Sequence, residues 1–142
     1  MKGEDLRLGR DGNRLRFSGW WTFLGVLLVA LVVYLSLASL SPSKVLAFPE
    51  SDKIMHFSAY TAMMFWFGQI YRKRPALLFV ALGLITLGVL LEILQGLSGY
   101  RTFEYLDMAA NTLGVIFGLF ITQTRLGCLF QSFEVLLVRS RD

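Results

Sequence analysis

Long apolar runs separated by short polar or basic segments organise this chain. The first, about 20–40, opens on Trp20-Trp21 and carries almost no charge. Its length fits a full bilayer crossing, and paired tryptophans fit the lipid–water interface. A cleaved signal peptide competes with this reading, because Ala38 and Ser39 are small. The run, however, exceeds the roughly 7–15 residues of a cleaved hydrophobic region, so it reads as a retained helix. Pro42 and Pro49 then stop helix propagation, and Ser51 or Asp52 stands ready to cap a second helix over 53–71, closed by Arg72-Lys73-Arg74-Pro75. A third run, 76–97, carries Glu92 and Gln95 near its far end. Beyond a loop with Gly99 and Arg101, a fourth covers 107–124, and Leu126 to Val138 reads as a partly apolar helix lying on a membrane surface.

The predicted fold class is all-α: a four-helix transmembrane bundle over 20–124, with a basic tail at 1–19 and a partly amphipathic tail at 125–142. Composition supports it. The 142 residues are 55% hydrophobic and 17% charged, with a mean hydropathy of +0.57, whereas soluble domains are about one-quarter charged. Four crossings of about 20 residues each leave no room for a separate soluble catalytic domain.

The net charge of +4 does not point to nucleic acid, because the basic residues lie in clusters between the apolar runs. Cytoplasmic segments retain Lys and Arg, and one orientation sorts them. With both termini in the cytoplasm, the inner segments hold Lys2, Arg7, Arg10, Arg14 and Arg16, then Arg72, Lys73 and Arg74, then Arg125, Arg139 and Arg141; the outer loops hold only Lys44, Lys53 and Arg101. The single Cys128 excludes an internal disulfide and a multi-cysteine zinc site.

This alternation of spans brings three helix ends to one depth, and with them His56, Glu92, Gln95, Asp107 and Asn111. Asp52, His56 and Tyr60 repeat every four residues and share one helix face; Gly88, Glu92 and Gln95 share another. On the fourth helix Asp107, Asn111, Gly114 and Gly118 form a stripe, and Ala110, Gly114 and Gly118 follow the small-xxx-small pattern of close helix packing. Ionisable groups inside a span are expensive and normally face the bundle interior or a wet cavity. Each has a structural alternative: Asp52 and Asp107 as helix caps, Glu92 in an ion pair with Arg101 or His56, His56, Gln95 and Asn111 as interhelical hydrogen-bonding groups, Arg101 and Glu104 as solvated loop charges. The Met63-Met64-Phe65-Trp66-Phe67 string reads as lipid-facing and packing groups, and Arg72-Lys73-Arg74 as a topology anchor touching anionic lipid.

The same residues carry a resemblance. Asp52-Lys53-Ile54-Met55-His56-Phe57 with Tyr60, Glu92-Ile93-Leu94-Gln95, and Arg101-Thr102-Phe103-Glu104 with Asp107, Ala110-Asn111 and Gly114 through Gly118 closely resemble the VanZ-like family of small bacterial membrane proteins. The likeness covers about residues 50–120. A proline often precedes the loop arginine in that family, where this chain has Tyr100. The resemblance implies a multi-pass protein of the bacterial cytoplasmic membrane, in a family named for a protein associated with teicoplanin resistance.

Three chemistries suit the outer mouth. In the first, an amphiphile such as a polyprenyl phosphate or glycolipid is recognised or modified. Arg101 and Lys53 then hold its anionic head, and Glu92 and Asp107 act through His56, or on water, as acid and base. Asp52, Tyr60, Gln95, Glu104 and Asn111 complete the expected ligand-binding set. No activated nucleophile is evident, Ser58 and Ser98 being merely near. In the second, the protein is a non-enzymatic scaffold or binding protein for envelope-polymer assembly. In the third, His56, Glu92 and Asp107 hold a divalent cation, with only one histidine to offer. No cofactor is identifiable, and membrane lipids are the expected partners.

Overall fold

The computed structural model describes residues 15–38, 51–99 and 103–139. Among them the chain is all-helical: α1 (Ser18–Leu37), α2 (Ser51–Ile70), α3 (Arg74–Leu97), α4 (Tyr105–Thr122), a short 3-10 turn (Arg125–Cys128) and α5 (Leu129–Arg139). The helices fall where the apolar runs predict them, with shifts at their ends. Pro75 does not close α2 but opens α3, because a proline in the first helical turn gives up an N–H that has no intrahelical partner anyway. Ser51 and Asp52 lie inside the first turn of α2 rather than ahead of it.

Three helices, α1, α3 and α4, are long and apolar enough to cross a membrane, so this is a membrane protein by length and composition. The second helix has the length but not the apolarity, since Asp52, Lys53 and His56 occupy its first two turns. It sits instead at the centre of the packing, against α1, α3, α4 and α5. Met63 and Met64 are fully buried there, in a core with Tyr60, Ala81, Leu84 and Val115. By contrast α1 buries only Gly25, where a Cβ would lie 2.9 Å from the Trp66 ring.

The most intimate contact joins α2 to α4. A Cβ on Gly114 would collide with the Phe57 carbonyl oxygen, and one on Gly118 would lie 2.7 Å from the Thr61 carbonyl oxygen. Thr61 Oγ1 also donates to the Gly114 carbonyl at 3.1 Å. The small-residue stripe of α4 is therefore the seam that seats it on the α2 backbone. Because Phe57 faces Gly114 and Thr61 faces Gly118, the two helices run parallel.

Hydrogen bonds define the two ends of the molecule. At one, Gln95 Nε2 donates to Ser36 O at 2.7 Å and Ser36 Oγ at 2.8 Å, tying α3 to α1. At the other, buried Glu134 of α5 accepts from the backbone N–H groups of Arg16 (2.7 Å) and Phe17 (3.0 Å) and from Trp21 Nε1 (2.8 Å). A carboxylate on the N–H of Phe17, the N-cap of α1, satisfies a donor that the helix itself leaves open and meets the positive end of its dipole. Phe130 stacks on Trp21 at 4.1 Å, Gln69 Nε2 donates to Leu126 O, and Arg72 donates to Gly127 O and Cys128 Sγ. The segment after α4 is thus latched onto α1 and α2.

Two outcomes are expected. Gly114→Ala destabilises the purified protein by about 1–3 kcal/mol through overpacking against α2, whereas Gly83→Ala, with open space at its Cβ, does not; thermal melts in detergent compare them. Glu134→Ala strands three donors and costs about 1–3 kcal/mol, read by the same melts and by faster proteolysis of α5.

Candidate functional site

The end marked by Gln95 and Ser36 collects the polar residues anticipated from sequence. Parallel packing puts the N-termini of α2 and α4 side by side, and two positive dipole ends favour carboxylates in the first turns. Asp52 occupies that position in α2 and Asp107 in α4. Asp107 does not cap its helix: Glu104 is the N-cap residue, the Asp107 N–H donates to the Glu104 carbonyl at 3.1 Å, and α4 begins two residues earlier than the apolar pattern suggests.

Glu92 makes that early start possible. It is 1% exposed, and its Oε1 accepts the Glu104 N–H at 2.8 Å. A carboxylate from α3 thereby does for α4 what a capping-box glutamate does within one helix. Among the described residues it has no ion pair with His56. Arg101 lies outside the described residues.

His56 lies between two residues of α4. Its Nδ1 is 3.0 Å from Asn111 Oδ1, and its Nε2 is 3.8 Å from Asp107 Oδ2. An amide oxygen can only accept, so Nδ1 carries the hydrogen and Nε2 is turned toward the carboxylate. Asn111 is 2% exposed and held from the other side by Gly88 of α3, where a Cβ would approach it to 3.1 Å. Lys53 Nζ donates to Glu104 Oε2 at 3.1 Å and lies 4.0 Å from Asp107 Oδ1.

The structure therefore joins His56, Asp107, Asn111, Lys53 and Glu104 directly and attaches Glu92 through the Glu104 backbone. Gln95 is bonded to α1 at the same end. Asp52, His56 and Tyr60 line one side of a cavity of about 100 Å³ whose other wall is Val32, Leu35 and Ser36 of α1. Ser58 is exposed, and Ser98 Oγ donates to the Gln95 carbonyl at 2.6 Å. Neither is placed as a nucleophile.

Among the described residues, three buried polar atoms at this end have no hydrogen-bond partner: Tyr60 Oη, Glu92 Oε2 and Asp107 Oδ1. Buried polar groups are normally bonded, so each such atom needs an explanation, and a site that receives a polar ligand or water supplies one. The most compact metal-ligating arrangement among the described residues is Asp52, His56 and Asp107, whose ligand atoms lie within 4.8 Å of one another. Asp52 takes the place that sequence reasoning gave to Glu92.

No family model matches the chain, and no solved structure matches it. It is similar to an uncharacterized protein of the fission yeast Schizosaccharomyces pombe, with 30% identity over 92 residues. The match takes in 63% of this chain and 57% of the yeast protein, so the chain spans little more than half the length of that relative. The relative is eukaryotic and lends no support to a bacterial setting.

The geometry separates two roles for Glu92. Glu92→Gln keeps an acceptor for the Glu104 N–H and melts close to the wild type. Glu92→Ala leaves that N–H unsatisfied and costs about 1–3 kcal/mol. Melting curves of the two variants in detergent check the contrast.

Proposed function

We propose that this protein is a VanZ-like integral membrane protein whose polar site recognises or modifies a lipid-linked or amphiphilic envelope molecule, with a link to glycopeptide (teicoplanin) tolerance. In this reading α2 crosses the membrane as the fourth helix of the bundle, shielded by α1, α3 and α4. The termini face the cytoplasm of a bacterial cell, and the His56 end opens at the outer leaflet. The distribution of Lys and Arg supports that orientation.

One observation carries the proposal: a buried hydroxyl, Tyr60 Oη, without a hydrogen bond among the described residues, on a residue lining a small cavity with Asp52 and His56 at one end of an otherwise apolar bundle. A purely structural cluster gains nothing from leaving Tyr60 Oη without a hydrogen bond, since a lost bond in a buried setting costs about 1–3 kcal/mol. The cavity wall of Val32, Leu35, Met55 and Ala59 suits an apolar tail, and Asp52, His56 and Tyr60 suit a polar head. Lys53 and, by the resemblance, Arg101 supply positive charge for an anionic head group. His56, with Asp107 beside it, is the group placed to pass a proton to or from a bound head group.

The non-enzymatic reading, a scaffold or binding protein for envelope-polymer assembly, has one observation in its favour: Glu92 has a structural task in holding the start of α4. The test uses cells that depend on this protein for glycopeptide tolerance. His56→Ala and Glu92→Gln, inserted at wild-type levels, lower tolerance to that of cells without the protein and change the pool of lipid-linked envelope precursors. Wild-type behaviour of both variants refutes the proposal.

A further inference from the structure

His56 Nε2 and Asp107 Oδ2 stand 3.8 Å apart, beyond hydrogen-bonding distance. With Nδ1–H committed to Asn111 Oδ1, the neutral ring turns a lone pair toward a carboxylate, and two acceptors face each other with a gap between them. Asp52, one helical turn before His56 on the same face of α2, brings a third ligand atom within 4.8 Å of both. The 3.8 Å separation of Nε2 and Oδ2 suits two ligands of a single ion. At the 2.0–2.2 Å bond lengths of zinc, two ligands at tetrahedral to trigonal angles lie roughly 3.3–3.8 Å apart.

We propose that Asp52, His56 and Asp107 form a three-ligand site for a divalent first-row transition ion, with an open position facing the cavity. Two carboxylates and an imidazole nitrogen offer this ion two anionic oxygen ligands and one neutral nitrogen ligand. A nitrogen donor alongside two oxygen donors favours zinc or manganese over magnesium and calcium, which take all-oxygen sets. Asn111, buried and bonded to Nδ1, is the outer partner that fixes ring orientation at metal-bound histidines. Lys53 does not take over Asp107, because Glu104 holds its ammonium at 3.1 Å, against 4.0 Å to Asp107 Oδ1.

Two further observations point to a ligand. Asp107 is 4% exposed, and its Oδ1 accepts no hydrogen bond among the described residues, the Lys53 ammonium standing 4.0 Å away; a bound ion gives this carboxylate a direct ligand bond. Tyr60, 1% exposed with an unpartnered hydroxyl, lines the same cavity as Asp52 and His56. A water on the open position supplies its missing hydrogen bond. A bare imidazolium–carboxylate pair at 3.8 Å leaves both atoms unsatisfied.

The ion site shares its place with the proposed amphiphile site and rests on that reading in one respect only: an anionic head-group oxygen is what would replace the water. The ion itself needs no lipid. The test therefore uses the full-length, untagged protein in detergent, with Cys128→Ser to remove the lone thiol, stripped by chelator and titrated with Zn²⁺ alone. His56 is the only histidine in the chain, so ¹⁵N-histidine labelling reports on it without assignment. Zn²⁺ binds with a stoichiometry of one per chain and shifts the Nε2 resonance while Nδ1 keeps its proton. Asp107→Asn and Asp52→Asn each weaken binding at least tenfold, and Asn111→Ala weakens it about 10–100-fold. Mn²⁺ binding in place of Zn²⁺, seen by its electron paramagnetic resonance signal and lost in Asp107→Asn, equally supports the site. If the folded wild type takes up neither ion, or if its Nε2 resonance does not move on uptake, the site is refuted, whether or not the variants fold. Bound ion with unaltered glycopeptide tolerance in the His56 variant would instead overturn the proposed function and leave the ion site standing.

Discussion

Everything at the polar end depends on the backbone contact between α2 and α4. Two helices can bring a backbone this close to a neighbour's carbonyl groups only where one of them lacks side chains, and Gly114 and Gly118 supply that condition opposite Phe57 and Thr61. The register so fixed repeats every four residues. One and two turns from Gly114 toward the N-terminus of α4 stand Asn111 and Asp107, and His56, the residue before Phe57, meets both. Close approach of two backbones thus decides the geometry of a polar site next to the seam, with Tyr60, which packs on Gly114 and lines the cavity, common to both.

Parallel alignment has an electrostatic consequence. Two adjacent helix N-termini concentrate positive partial charge at one end of the bundle, and that is where Asp52, Glu92, Glu104 and Asp107 gather. The opposite end carries the C-termini of α2 and α4, followed by Arg72, Lys73, Arg74 and Arg125. There α1 presents its own N-terminus and finds Glu134. Each acidic residue in these contacts sits where a helix dipole lowers the cost of burying it, so a chain with little charge places that charge by backbone direction as much as by ion pairing.

How much of this could be read without coordinates follows from the same physics. Apolar runs located every helix to within a few residues, because length and hydropathy are local properties. The alternation of runs also brought His56, Glu92, Gln95, Asp107 and Asn111 to one end. Distances between helices are not local: Asn111 as the partner of His56, Asp52 rather than Glu92 beside Asp107, and Glu92 as a cap on the start of α4 all depend on helix rotation. Glu134 was missed for a related reason. Its partners are backbone N–H groups at Arg16 and Phe17, which have no signature in the sequence, although a lone acid on the inward face of an amphipathic helix is a signal worth following.

The second helix shows why apolarity alone misjudges a bundle. Its first two turns carry an acid, a lysine and the histidine, and by composition it falls short of a membrane span. A helix in the middle of a bundle, however, is not solvated by lipid. Its surroundings are the faces of α1, α3 and α4, and its polar groups meet Asn111, Glu104 and Asp107 rather than hydrocarbon. The cost of polar residues in a membrane is set by what they touch. A central helix can therefore carry a site that a peripheral helix such as α1, with one buried residue, cannot. In the proposed reading, where α2 crosses the membrane, the apolar outer helices let it forgo the hydrophobicity that a lipid-facing helix needs.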